Sequence, residues 1–138
     1  MALTSAFTSL NLPVKNVAQS KAFFTGLGFE LNPQYPDNEN SVAILIGDNL
    51  QVMLIHQAFF NTLTEKEAVD TRKYAQLTIA LEFESREKVD EIVNTALSLG
   101  GKLHAEPEDH GFMYHWGFVD LDGHLWAINC MSQEAAQN

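Results

Sequence analysis

One order of elements occurs twice in this chain of 138 residues, and that duplication limits its possible folds more than any other feature. In the first half, Phe7 to Val14 alternates like a strand and Asn16 can cap a helix running through Phe24. Gly26-Leu27-Gly28-Phe29-Glu30-Leu31 then turns into a second strand. In the second half, Leu77 to Phe83 is the strand, Ser85 the cap, Arg86 to Leu99 the helix, and Gly100-Gly101-Lys102-Leu103 the turn and following strand. Val89, Ile92, Val93 and Ala96 fall near the 3.6-residue period, so one stripe of this helix can pack on a sheet. Each helix is followed by two more strand candidates, Val42 to Ile46 with Leu50 to Ile55, and Tyr114 to Val119 with His124 to Asn129. Gly47-Asp48-Asn49 and Asp122-Gly123 are the matching hairpin turns. The pattern predicts an α+β fold of two βαβββ modules, over about 5–58 and about 75–131 of a single domain covering 1–138. The connection, about 59–74, is richer in polar residues; it reads as a loop and a short helix capped by Thr64, with Glu67 completing a capping box.

Composition narrows the function classes. A chain of this length can bury roughly two thirds of its unfolded surface, so a core can form without staples. No apolar run approaches the ~20 residues of a spanning helix, and no membrane span is expected. Eight Lys and Arg against a net charge of -10, with no basic cluster, argue against nucleic acid and against anionic membrane surfaces. Cys130 is the single cysteine, which excludes an internal disulfide; no motif activates it, so it reads as a small core residue. Met1 to Ala6 carries neither a basic stretch nor an apolar run, so the expectation is a cytoplasmic protein without a secretory signal.

The most specific stretch is Val119-Asp120-Leu121-Asp122-Gly123-His124-Leu125-Trp126-Ala127-Ile128-Asn129. Beyond its Asp-Gly turn, Leu125, Ala127 and Asn129 alternate with Trp126, Ile128 and Cys130 on the two faces of a strand. The turn resembles the D-P-D-G-H-x-x-E signature of the vicinal oxygen chelate superfamily, which includes glyoxalases, fosfomycin and bleomycin resistance proteins and extradiol dioxygenases. Leu121 stands in place of the Pro and Ala127 in place of the Glu. Leu12-Pro13-Val14-Lys15-Asn16 and Phe23-Phe24-x-x-Leu27-Gly28-Phe29 extend the resemblance over nearly the whole chain. It implies that the two modules form an incomplete barrel around a cavity, that chains pair as homodimers, and that metal-using members hold a divalent ion in the cavity.

The resemblance also places the ligand positions for that ion: Ser9, Met53 or Leu54, Gln76 or Thr78, and Ala127. A divalent ion needs three or four His, Asp or Glu donors, and none of these positions has one; only Gln76 could contribute. The expectation is therefore a protein without the family metal and with no other cofactor. A divalent-metal-dependent lyase or dioxygenase of the glyoxalase type is the alternative.

Other residues are candidates for chemistry. His115 lies within a strand and His56 ends one; since histidine titrates nearest neutrality, these two are the candidate general acids or bases. His104, His110 and His115 are spaced by six and five residues around Glu106-Pro107-Glu108-Asp109, and Pro107 disfavours the helix that an HxxxH site would need. His124 reads as a structural turn residue, and Glu82 and Glu84 as the solvated face of a strand. Either Tyr114, Trp116 and Phe118 or Met113 and His115 would face the cavity, and the first set would make an apolar aromatic pocket. With Asn11, Met53 and Asn129 they form the expected ligand-binding set. The function expected is binding of a small hydrophobic or aromatic molecule without metal. A metal-free enzyme using His115 or His56 as base is a further alternative.

Overall fold

Alternation along the strands assigns apolar side chains to one face of each sheet, and a helix covers that face. The computed structural model describes residues 1–131, which form two compact units divided between Val69 and Asp70. The first contains β1 (Thr8–Val14), α1 (Val17–Leu27), β2 (Glu30–Leu31), β3 (Ser41–Gly47), β4 (Leu50–His56) and α2 (Gln57–Thr64). Its sheet runs β1-β4-β3-β2, with β1 parallel to β4 and the other pairs antiparallel. Leu12, Val14, Val42, Ile44, Val52 and Leu54 are buried, as are Val17, Phe23 and Phe24 of α1. Asn16 caps α1 by accepting the Gln19 N–H at 2.9 Å. The helix continues one turn beyond its expected end at Phe24, because the left-handed residue that stops it is Gly28 (φ 112°).

The second unit contains β5 (Thr78–Glu82), α3 (Arg86–Ser98), β6 (Lys102–Leu103), β7 (Glu108–Asp109), β8 (Met113–Val119) and β9 (Leu125–Met131). Its sheet order, β5-β9-β8-β6, repeats that of the first unit strand for strand, with β7 added beside β8. Both sheets are open, running from edge strand to edge strand. Ser85 caps α3 through the Lys88 N–H at 3.1 Å, and the expected stripe Val89, Ile92, Val93, Ala96 is buried. On the same side of the sheet, Phe118 and Trp126 stack with centroids 6.2 Å apart. Tyr114 donates to Asp90 of α3 at 2.6 Å, and the Arg86 guanidinium lies 4.9 Å from its ring centroid.

The connection departs from expectation. Thr64 ends α2 where it was expected to begin a helix. His56 takes the N-cap position, its Nδ1 accepting the Ala58 N–H at 3.3 Å. The Thr64 hydroxyl has the carbonyls of Lys66 (3.0 Å) and of Phe60 one turn back (3.2 Å) within donating range and accepts from the Lys66 N–H (3.2 Å), as Glu65 turns left-handed at φ 58°. A threonine hydroxyl can serve either helix end, and here it serves the C-terminal end of α2. Among the described residues, no helix is long and apolar enough to cross a membrane.

The turn before β9 is held by Asp120, which is 5% exposed. Its Oδ1 accepts from the Asp122 and His124 N–H groups at 2.9 and 3.0 Å, and its Oδ2 accepts from the Trp126 indole N–H at 3.0 Å. Burial pushes this carboxyl above its ordinary value, against the opposing pull of His124 and of the three donors. Gly123 adopts φ +89°, and a Cβ there would lie 2.9 Å from both the carbonyl carbon and oxygen of Thr71. The Thr71 hydroxyl in turn donates to the Asp122 carbonyl.

Gly123→Ala combines a disfavoured φ with a backbone collision. It is expected to lower stability by about 1–3 kcal/mol in urea unfolding, and an unchanged midpoint would contradict this account of the turn. The Tyr114 phenol is pushed up to about 12, first by burial and then by its bond to Asp90. Its folded value exceeds the unfolded one near 10, so the associated stability is complete below pH ~10 and is lost as pH rises toward 12. Tyr114→Phe should remove this alkaline loss, and superimposable stability-versus-pH curves for the two proteins would refute it.

Candidate functional site

The side of the second sheet away from α3 is set by register. Thr78, Ala80 and Glu82 of β5 pair with Leu125, Ala127 and Asn129 of β9. Those three pair in turn with Val119, Gly117 and His115 of β8. A recess of about 300 Å³ lies on this side. Thr78, Gly117, Leu125 and Ala127 line its floor, His115 lines it from β8, and His104, Glu106 and Glu108 line it from the segment before β8. Gly117 keeps the floor bare: a Cβ there would collide with the Trp126 carbonyl of β9. The indole N–H of Trp116 donates to the Ala105 carbonyl at 2.8 Å, which ties the segment that carries His104 and Glu106 to β8.

His115 is the chemically versatile group in the recess. Its Nδ1 lies 2.5 Å from Asn129 Oδ1. An amide oxygen can only accept, so Nδ1 carries a hydrogen, and in the neutral form of the ring the lone pair is left on Nε2. Glu108 stands opposite His115 in the β7–β8 ladder, and its carboxylate also reaches His110 Nε2 at 3.0 Å.

Of the expected site residues, the candidate base His115 and the candidate ligand-binding residue Asn129 are brought together. Tyr114, Trp116 and Phe118 alternate with His115 and so belong to the α3 side: Tyr114 bonds α3, Phe118 is 1% exposed in the core, and Trp116 alone also contributes to the recess wall. The expected aromatic set is thus split: Tyr114 and Phe118 face α3, while Trp116 lines the recess together with Trp126 and with small and aliphatic groups. The reason is volume: the layer between sheet and helix takes the largest side chains of the strand.

In the first unit, Asn11 and Met53 are register partners across β1 and β4. Asn11 ends a directed chain of hydrogen bonds. Asn32 Nδ2 donates to Gln51 Oε1 (2.8 Å), Gln51 Nε2 to Ser9 Oγ (3.2 Å), and Ser9 Oγ to Asn11 Oδ1 (3.1 Å). His56 is occupied as the α2 cap, with its Nδ1 lone pair engaged.

The donor set does not fit a divalent ion of the family type. Ser9 is bound within a chain of neutral groups, Met53 and Ala127 offer no hard donor, Thr78 offers only a hydroxyl, and Gln76 precedes β5. Among the described residues, no group of three or more His, Cys, Asp or Glu is arranged to hold a metal. His104, Glu106 and Glu108 were missed as recess residues because Pro107 marks a loop and a two-residue strand leaves little pattern. The signal present was their period-two spacing.

A sequence model of the Glyoxalase/Bleomycin resistance protein/Dioxygenase superfamily matches residues 6–128. The chain belongs to this superfamily. Among solved structures, the hypothetical protein SA1046 of S. aureus is 30% identical, with 94% of this chain and 95% of that one covered and a TM-score of 0.77. A glyoxalase/bleomycin resistance protein/dioxygenase family enzyme of Burkholderia phytofirmans PsJN is 14% identical over 90% of this chain and 97% of that one, with a TM-score of 0.76. The fosfomycin resistance protein FosX of Listeria monocytogenes is 21% identical over 96% and 98%, at a TM-score of 0.68. The last two likenesses establish the fold. No curated protein matches the chain.

The His115–Asn129 contact of this superfamily member makes a spectroscopic prediction. Long-range ¹H–¹⁵N correlation should find neutral His115 protonated on Nδ1, with Asn129→Ala moving population to the Nε2–H form. An Nε2–H ring in the wild type would refute the assignment.

Proposed function

We propose that this superfamily member binds a small organic molecule in the recess on the second unit, without a metal ion. The apolar body of the ligand rests on Leu125, Ala127 and Gly117, and His115 makes the directed polar contact. The observation that carries this reading is the pairing of His115 with Asn129 beside a recess lined by Ala127, where the family resemblance expects a metal-binding carboxylate. A volume of about 300 Å³ lies at the small end of the range for ligand pockets.

The same contact favours a second reading, a metal-free enzyme with His115 as general base. A lone pair on Nε2 can take a proton from a bound ligand, and Asn129 holds the Nδ1–H of the imidazolium so formed. His56 is a weaker candidate for this role because its Nδ1 caps α2.

Two measurements test these readings. Metal analysis of protein purified without a His tag should find far less than one equivalent of Zn, Ni, Mn or Fe per chain, and a tightly held equivalent would overturn the metal-free site. His115→Ala should cost a binding protein up to about tenfold in ligand affinity. The same change should cost a general-base enzyme about 10²–10⁴ in rate.

A further inference from the structure

We infer that the recess selects a cationic ligand, a primary amine or amidine carried on a small apolar or aromatic body. This rests on the proposed binding in the recess and adds the class of ligand. Three of the polar groups lining it are hydrogen-bond acceptors: the carboxylates of Glu106 and Glu108, and His115 Nε2, whose lone pair is left over because Nδ1–H is given to Asn129. Thr78 can donate or accept, and neutral His104 offers one group of each kind. No Lys or Arg lines the recess.

The neighbouring cations are committed or distant. Arg86 pairs with Asp109 at 2.5 Å and lies over the Tyr114 ring, on the α3 side of the sheet. Lys102 stands opposite Val119, four residues along β8 from His115, roughly 13 Å by the rise of a strand. Glu108 shares its carboxylate with His110, whereas Glu106 has no ion-pair partner among the described residues. An ammonium or amidinium supplies the donors and the charge that this wall lacks, while an anionic ligand would be desolvated against two carboxylates. The net charge of -10 raises the local concentration of cations in the same sense.

The test is a protein-observed ¹⁵N NMR titration with benzylamine, benzyl alcohol and benzoate at matched ionic strength, on the wild type and on an E106Q/E108Q double variant. Benzylamine should bind most tightly and shift His115, Gly117 and Ala127. The variant should weaken benzylamine at least about tenfold and leave benzyl alcohol within about twofold. Both glutamates are exposed, so the variant should keep its fold, which unchanged resonances away from the recess would verify. Raising the salt to about 0.3 M on the wild type gives an independent reading: benzylamine should weaken severalfold and benzyl alcohol should not. Benzoate or benzyl alcohol binding as tightly as benzylamine would overturn the charge selection while leaving the recess a binding site, as would indifference of benzylamine to both the variant and salt. If no probe perturbs the recess residues, the binding reading fails together with this one.

Discussion

One buried carboxylate sets the phase of the strand on which the second unit depends. Asp120 gathers two backbone N–H groups of the turn and the indole N–H of Trp126, so β9 starts with Trp126 pointed to the α3 side. A slip of one residue would exchange the faces, moving Ala127 and Asn129 into the core and Trp126 and Ile128 out of it. Burying the carboxylate is unfavourable, as the upward pressure on its protonation shows, and the three donors with His124 offset that penalty locally. Both the Phe118–Trp126 stack and the His115–Asn129 contact follow from this register, since each pair lies directly across the β8–β9 ladder.

The two units keep one strand order and use it for different chemistry. In the first, the side of the sheet away from Leu12 and Val14 carries a directed chain of neutral amides and a hydroxyl, with Gln51 at 1% exposure satisfied on both its oxygen and its nitrogen. Such a chain suits a fixed surface better than a titrating one, because none of its members changes charge. In the second, β7 lies beside β8 with no counterpart in the first sheet, and the segment leading into it brings Glu106 and Glu108 to the recess. A two-residue strand thus accounts for much of the chemical difference between two halves of one design.

Elements with a local cause were legible in the sequence. Asn16 and Ser85 cap the helices they were expected to cap, and the stripe Val89, Ile92, Val93, Ala96 is buried, because side-chain capping and helical period act within a few residues. Faces were less legible. Alternation separates Tyr114, Trp116 and Phe118 from Met113 and His115 but does not say which set a helix covers; that depends on α3, which contributes Asp90 to hold the Tyr114 hydroxyl. The direction of α2 was hidden for a similar reason, since Thr64 can bond forward as a cap or back as a terminator, and the cap at the other end is a histidine, an uncommon choice.

Membership of a superfamily carries the fold across without carrying the electrostatics of the site. A cation in a cavity presents positive charge and draws ligand oxygens to itself. The recess here is lined by two glutamates and by His115, with Ala127 at the position where the family resemblance expects a metal-binding carboxylate. On the proposed reading the sign of the site is inverted relative to that of a metal-using relative: groups that a metal would hold are repelled, and groups that a metal would repel are held. On that reading, the polar residues lining the recess are a better guide to its ligand than the reactions of proteins that share its strand order.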